Sequence, residues 1–306
     1  MPRALSPVVA TVVAILSGVI WSLGAVHVAR AHADAFQYLI WRSVAIIFVL
    51  EVVARIRRAP SPTRIGLSSG RLMWLTSMML LVASIAFVYA VSVNGAAQSA
   101  FLASMTPLFA VVISHVVLGE HLTGTTVVAV GLGLAGLVIM VGGNLGGGSV
   151  IGSVSAVASS VGFAVYTVCV RSDRSRDWSP VLPGYALVMI GICAAVTLAK
   201  GRSLVPGVQP VTLALIHGGL YIVVGTLLFN LAARTVPAVH MTVYAQAEMV
   251  CVPVWGLLLL NEHPAHRTIA GGLVVFAAIT INAVWGGRQA LEASVPDGEH
   301  AVPAQG

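Results

Sequence analysis

Long apolar runs, separated by short breaks that hold polar residues, glycine or proline, account for most of the chain. Ten of these runs are roughly 18–23 residues long, and a helix of about 20 residues crosses the roughly 30 Å hydrocarbon core of a bilayer. We therefore predict ten transmembrane helices, at residues 8–29, 36–54, 72–93, 96–118, 123–142, 150–170, 181–199, 211–233, 238–260 and 268–285. The first run resembles a signal peptide, but its 22 residues exceed a usual signal core, so we expect a retained helix.

The composition indicates that lipid is the solvent for most of this chain. Of its 306 residues, 58% are hydrophobic and only 8% are charged, and the mean hydropathy is +0.96. A soluble domain needs more charge to cover its surface, so we predict an all-α integral membrane protein. The net charge of +6 does not indicate a nucleic-acid partner, because the basic residues lie in short breaks between the apolar runs.

The same basic residues predict the topology. If the N-terminus is cytoplasmic, eleven arginines lie on the inside, whereas the outside holds only Arg30, Lys200, Arg202 and Arg267. Lysine and arginine are enriched on the cytoplasmic side of membrane proteins, so this orientation is the expected one. An even number of spans places both termini in the cytoplasm, and we expect the protein to lie in the cell membrane.

The sequence repeats itself on either side of a glycine-rich stretch at 144–149. A shift of 142 residues takes Thr106 to Glu248, and it takes LGEH at 118–121 to LNEH at 260–263. Each half holds five predicted spans, an odd number, so the second copy enters the membrane from the opposite side. We predict a first repeat at 1–143, a linker at 144–149, a second repeat at 150–286 and a disordered cytoplasmic tail at 287–306.

A five-plus-five inverted repeat of ten transmembrane helices favours transport. Two copies of opposite orientation can exchange conformations, so that one face of the protein closes while the other opens around a site near the midplane. We therefore predict a secondary transporter with a small-molecule substrate. A scaffold without transport activity stays open as an alternative, as does an intramembrane enzyme or lipid-modifying protein that uses Glu248 with His27, His115, His217 and His240.

Two pairs of motifs resemble the EamA family of the drug/metabolite transporter superfamily. The first half has TPLFA at 106–110 followed by LGEHL at 118–122, and the second half has EMVCVPVWG at 248–256 followed by LNEHP at 260–264. The resemblance extends over both halves, from about residue 8 to residue 286. It implies ten helices in a five-plus-five inverted topology and the export or exchange of amino acids, metabolites, nucleotide-related compounds or drugs.

Single residues outside these motifs also resemble family positions, notably Trp21-Ser22 in the first helix and Arg42 in the second. The sequence departs from the family pattern at two places. Asn261 replaces the usual glycine before the second glutamate, and Met249 stands where the first half has a proline.

Only three formally charged residues lie within the predicted spans, namely Arg42, Glu51 and Glu248. A charge at the centre of a membrane helix costs about 2.5–3.5 kcal/mol, so each of them calls for a partner or a function. Glu51 lies one turn before Arg55 near a helix end, where a structural role suffices. Arg42 lies deeper, and it either bonds to a neighbouring helix or contacts the substrate.

Glu248 lies ten residues into the ninth span, about 15 Å along the helix and hence near the midplane. His240, Tyr244, Glu248 and Trp255 recur at spacings of four, four and seven, which predicts one helical face. We hypothesise that this face lines the central cavity and that Glu248 binds a cationic group or takes up a proton. The alternative is a glutamate that hydrogen-bonds to a neighbouring helix for packing.

The remaining cavity candidates are polar or aromatic residues on the first and fourth spans of the repeats. Ser99 and Thr106 lie seven residues apart on one face of the fourth span, although hydroxyls in membrane helices often bond to their own backbone. Trp21 and Tyr166, on the first helices of the two halves, are candidates for aromatic walls, with core packing as the alternative.

Other motifs predict no cofactor and no metal site. The GxGxxG-like stretch at 131–136 lies inside an apolar span, where close helix packing explains it. Glu262, His263 and His266 form a small cluster at an external turn, but Pro264 breaks any regular ligand face. Cys169, Cys193 and Cys251 lie in apolar runs without metal-ligand spacing.

Overall fold

The computed structural model describes residues 5–31, 33–94, 99, 102–103, 105–120, 123–141, 149–260 and 266–286. Every regular element in these ranges is helical. The α-helices are α1 (Pro7–Ala31), α2 (Ala35–Ile56), α3 (Pro62–Ser68), α4 (Arg71–Asn94), α5 (Thr106–Leu118), α6 (Gly124–Val141), α7 (Val150–Ser172), α8 (Val181–Ala199), α9 (Val208–Ile216), α10 (Val223–Ala232), α11 (Ala238–Ala245), α12 (Ala247–Leu260) and α13 (His266–Ile281). Two π-helical segments are π1 (His217–Ile222), which joins α9 to α10, and π2 (Asn282–Gly286), which extends α13.

Within the part of the chain that the structure describes, six helical stretches are long and apolar enough to cross a membrane, namely Pro7–Val28, Arg71–Ala90, Val150–Ser172, Val181–Ala199, Val208–Ala232 and Ala238–Leu259. Shorter apolar helices lie at Thr106–Leu118, Gly124–Gly136 and Ile269–Ile281. The protein is therefore a multi-pass helical membrane protein.

Several predicted features lie outside the described residues. They are most of the glycine-rich linker, the tail at 287–306, part of the fourth span before Thr106, and the motif residues Asn261, Glu262, His263 and Pro264.

Each large contact between the two halves has a counterpart in which every helix is replaced by its equivalent in the other repeat. α4 packs against α7 as α1 packs against α10, and α5 packs against α7 as α1 packs against α12. The two remaining large contacts, between α2 and α8 and between α6 and α13, each join a helix to its own counterpart. This pattern fits a two-repeat architecture in which neither half forms a separate core.

Small residues allow the close approach of α6 and α13. A Cβ added to Gly136 would lie 2.7 Å from the Gly271 carbonyl oxygen and 2.8 Å from the Val275 side chain. The GxGxxG-like stretch thus has a packing role at Gly136, as the apolar context predicts.

The ninth predicted span is helical on both sides of a one-residue break in its middle. α11 and α12 are separated by a turn at Gln246, whose N–H donates to the Val243 carbonyl over 3.1 Å. This i to i+3 contact is tighter than the α-helical pattern. α1 packs against the break at Gly18, where an added Cβ would lie 3.0 Å from the Ala245 carbonyl oxygen and 3.2 Å from the Glu248 nitrogen.

Glu51, near the C-terminal end of α2, has a structural role. Its carboxylate accepts hydrogen bonds from the Ser61 hydroxyl (2.7 Å) and from the Thr63 N–H (3.0 Å). Ser61 also caps the short helix α3 by accepting from the Arg64 N–H. Glu51 therefore links α2 to α3 by accepting hydrogen bonds from donors at the N-terminus of α3 that have no partner within that helix.

Candidate functional site

The Glu248 carboxylate lies in the first turn of α12, directly after the break at Gln246, and its backbone faces Gly18 of α1. The side chain is half-buried. Among the described residues, no hydrogen bond or ion pair satisfies this carboxylate. A bare carboxylate in a membrane interior is costly, so this group favours a proton or a cation as its partner.

Trp255 lies two turns further along α12 and joins it to α1. Its indole N–H donates to the Ser22 hydroxyl over 2.7 Å, and Ser22 in turn donates to the Val19 carbonyl over 2.5 Å. Cys251, between Glu248 and Trp255 in the sequence, also contacts Ser22. Glu248 and Trp255 therefore belong to the contact between α1 and α12.

His240 and Tyr244, before the break, have different neighbours. The Tyr244 hydroxyl is buried and donates to the Asn282 carbonyl of π2 over 3.1 Å. The Nε2 atom of His240 lies 3.4 Å from the hydroxyl oxygen of Thr126 in α6. Tyr244 also contacts Thr11 of α1. The four residues of the predicted face therefore have neighbours on α1, α6 and π2, and α1 packs against both sides of the break.

Trp21 and Tyr166 belong to one aromatic cluster with Phe163 and Phe229. The Trp21 ring lies 5.9 Å from the Phe163 ring and 5.3 Å from the Phe229 ring, between centroids, and the Tyr166 ring stacks on Phe229 at 5.9 Å. Tyr166 is fully buried, and its hydroxyl donates to Asn230 Oδ1 over 2.5 Å. The cluster is part of the main hydrophobic core, with Trp21 at its half-buried edge.

The two hydroxyl candidates on the fourth span differ in their bonding. The Thr106 hydroxyl donates to the Ala103 carbonyl over 2.7 Å, so it bonds to its own backbone. The Ser99 hydroxyl is buried and has no partner among the described residues. Ser160 of α7 donates to the carbonyls of Leu102 and Ala103, which ties α7 to this part of the chain.

Arg42 is buried in α2 with 7% of its surface exposed. One terminal nitrogen donates to the Ser84 hydroxyl of α4 over 2.6 Å, whereas its buried Nε has no partner among the described residues. The side chain borders a small cavity of about 100 Å³ between α1, α2 and α4.

His27 and His217 belong to a cluster with two tyrosines beside Arg42, whereas the sequence marks them only as histidines on separate spans. The Tyr38 hydroxyl lies 3.0 Å from His217 Nδ1, and Tyr221 of π1 makes an edge-on ring contact with His27 at 5.0 Å. The π-helical geometry of residues 217–222 brings these groups together, and such segments are frequent at functional sites. The pair Gly218-Gly219 within an apolar span is the one sequence feature that marks it.

An ion pair joins the two halves at the end of the bundle that the basic-residue bias assigns to the cytoplasm. Glu120 and Arg171 form an ion pair of 3.2 Å. The other Glu120 oxygen accepts the Ala238 N–H (3.1 Å), and Arg171 also donates to the Arg234 carbonyl (2.9 Å). We call these bonds the Glu120 latch. The sequence marks Glu120 only as a motif residue and Arg171 only as a topology signal.

No group of three or more histidine, cysteine, aspartate or glutamate residues within the described ranges has the arrangement of a metal site. Cys169 and Cys193 are buried, Cys251 is half-buried, and none of the three forms a disulfide.

Comparisons with known proteins point to one family. The model of the EamA-like transporter family matches the chain twice, at residues 8–142 and 150–284. A solved structure described only as "Crystal structure of protein" is 18% identical in sequence, with a TM-score of 0.77 over 91% of this chain and 98% of that one. At this identity, the likeness shows a shared fold alone. No curated protein matches the chain.

Proposed function

The chain belongs to the EamA-like transporter family, and from this premise we propose that it is a secondary transporter for a small metabolite. It exports or exchanges a compound such as an amino acid or a drug-like molecule by alternating access, with ten transmembrane helices in two oppositely oriented sets of five. The interchange of helix pairs supports this architecture, because each half packs against the other in the same way.

The Glu248 carboxylate supplies the coupling or binding group in this proposal. It lies directly after the turn at Gln246 in the ninth span, and it has no partner among the described residues. Broken helices near the midplane are typical of binding sites in secondary transporters. The unpartnered Glu248 carboxylate is the single observation that carries the proposal, since a packing role would require a hydrogen bond.

A flux assay in proteoliposomes tests this role. Purified protein is first screened by counterflow against amino acids, purines and cationic drugs, and the transported class is then measured across an imposed pH gradient. We expect Glu248→Gln to lower flux at least about tenfold or to abolish its dependence on pH, because the amide cannot take up a proton.

Glu51→Gln is the matched control, since the same change at α2 removes an acid whose contacts are to α3. Control flux should equal that of the wild type. Flux by Glu248→Gln that is undiminished and equally dependent on pH would remove the proposed role of Glu248. A failure of the well-folded wild type to transport any class would contradict the transporter itself.

A further inference from the structure

The cavity beside Arg42 is distinct from the surroundings of Glu248. Its wall is formed by Arg42 and Tyr38 of α2 together with apolar side chains of α1, α2 and α4, among them Val28, Leu39 and Val88. We propose that Arg42 binds the carboxylate of a small organic anion here. The inference rests on the proposed transport function and names the chemical class of solute that the pathway accepts.

The first argument is the charge of Arg42. A guanidinium has five N–H donors and does not lose its proton in proteins, so inside a membrane span it requires acceptors or a counter-charge. The Ser84 hydroxyl satisfies one terminal nitrogen, and the buried Nε is unsatisfied among the described residues. No described acid forms an ion pair with Arg42. An anionic ligand in the cavity would supply the charge, and it would accept from the terminal nitrogens, because the Nε is buried.

The groups around Arg42 leave this positive charge uncompensated. Four titratable side chains lie within its electrostatic reach and none of these four is a carboxylic acid, namely Tyr38, Tyr185, Cys193 and His217.

The described acid at this end of the bundle, Asp34, already pairs with Arg202 at 2.6 Å and with Lys200 at 3.7 Å. Arg30 lies at the same end and donates to the Leu259 carbonyl. Among the described residues at this end of the bundle, the cations thus outnumber the carboxylate. An excess of positive charge raises the local concentration of anions.

The shape of the cavity selects a carboxylate attached to a short apolar chain. The planar guanidinium presents paired donors that match the two oxygens of a carboxylate. A volume of about 100 Å³ is small beside the roughly 300–1,000 Å³ of pockets that enclose a drug-sized ligand, so it holds one end of a solute. The apolar walls from Val28, Leu39 and Val88 favour a hydrocarbon stem over a second charge.

The surroundings of Glu248 and the Arg42 cavity both border α1, at different levels along this helix. Gly18 faces the Glu248 nitrogen, and Val28 borders the Arg42 cavity. Ten residues of helix correspond to a rise of about 15 Å. A small solute therefore meets the two sites in succession, with the Arg42 cavity towards the end of the bundle that is predicted to face outside.

Direct binding to the detergent-purified protein tests the inference without any transport step. Isothermal titration with propionate, propionamide and inorganic phosphate compares a carboxylate with its neutral isostere and with another anion. We expect propionate to bind the wild type at least tenfold more tightly than either of the other two compounds. Arg42→Gln should abolish this preference, and Arg42→Lys should weaken propionate binding at least fivefold, because the ammonium lacks the planar donor pair.

Arg267→Gln is the matched control, since Arg267 is an exposed cation at the start of α13. It should bind propionate as the wild type does. The inference is overturned if Arg42→Gln binds propionate as tightly as the wild type does, or if the wild type binds propionamide as tightly as propionate. If the wild type binds phosphate as tightly as propionate, the carboxylate class is overturned. If Arg42→Gln does not fold, unchanged binding by both Arg42→Lys and Tyr38→Phe overturns the inference.

The binding and flux experiments separate the two proposals. A wild type that transports a solute but does not bind propionate at Arg42 contradicts this inference and leaves the proposed transporter intact. A wild type that binds propionate through Arg42 but transports no solute class contradicts the proposed function and leaves the anion site intact.

Discussion

Close contacts at single glycines control how near the helices around the two sites approach one another. Gly218 of π1 faces the Arg42 backbone so closely that an added Cβ would clash with the Arg42 carbonyl oxygen. Gly24 of α1 faces the His217 ring in the same way. These contacts hold α1, α2 and π1 together at the level of the Tyr38 and His217 pair.

Gly218→Ala should destabilise the protein, because neither backbone can move without shifting a packed helix. Overpacking of this kind costs typically about 1–3 kcal/mol. At about 2–4 °C per kcal/mol, the thermal unfolding midpoint in detergent should fall by several degrees. Gly191→Ala in α8 is the control, because an added Cβ there meets nothing within 4 Å. An unchanged midpoint for Gly218→Ala would contradict the close contact.

The sequence identified the residues whose chemistry is unusual for a membrane helix. Arg42 and Glu248 are charged residues in apolar runs. The buried Nε of Arg42 has no described partner, and no hydrogen bond to a described residue involves the Glu248 carboxylate. The backbone bond of Thr106 follows from the ordinary behaviour of hydroxyls in helices. Tyr38 could not be identified in this way, because an aromatic hydroxyl near a helix end is common and its importance depends on a histidine 179 residues away.

At the scale of helices, hydropathy predicted the six stretches that are long and apolar enough to cross a membrane, but it could not locate the irregularities within them. The turn at Gln246 and the π-helix at His217–Ile222 both lie inside continuous apolar runs. The regular spacing of His240, Tyr244, Glu248 and Trp255 assumes an unbroken 3.6-residue period. The turn at Gln246 packs against Gly18, which lies far away in the sequence, so hydropathy along the span carries no signal for it.

The Glu120 latch connects the end of α5 with α7 and the start of α11. The exchange rate of the Ala238 amide hydrogen measures its strength. Glu120 accepts the Ala238 N–H at the start of α11, where that amide has no partner within the helix. A hydrogen bond to a charged group contributes about 1.5–3 kcal/mol. We therefore expect Glu120→Ala to accelerate amide exchange in the first turn of α11 at least about tenfold.

Asp173→Ala provides the control for this prediction. Asp173 follows α7 and pairs locally with Arg176 over 3.0 Å. Hydrogen bonds from Ser175 and from Arg176 hold the pKa of the Asp173 carboxyl below its ordinary value, so this change also removes a negative charge at neutral pH. Exchange in α11 should not respond to it. Equal acceleration by both variants would show that general loss of charge, and not the latch, controls this end of the bundle.

For the whole molecule, the two halves depend on each other for their cores. α1 packs against α10 and α12 of the second half, and α7 packs against α4 and α5 of the first. The internal repeat and the parity of the spans predict this relation, since related halves of opposite orientation can pack through equivalent faces. The side-chain partners could not be predicted, because the repeat has diverged: Thr106 bonds to its own backbone where its counterpart Glu248 has no described partner.

Whether the second half has an odd number of spans can be measured, because an odd number places its two ends on opposite sides of the membrane. Five spans in the second half would place the linker at 144–149 and the chain after Gly286 on opposite sides of the membrane, with the linker outside and the C-terminus in the cytoplasm. A fluorescent protein that matures only in the cytoplasm and a phosphatase that is active only outside should therefore give opposite signals when fused after Gly146 and after Gly286. Fusions after Arg58, in the predicted inside break between the second and third spans, provide the control and should match those after Gly286. Equal signals at Gly146 and Gly286 would indicate an even number of spans in the second half, and an inverted repeat would then be impossible.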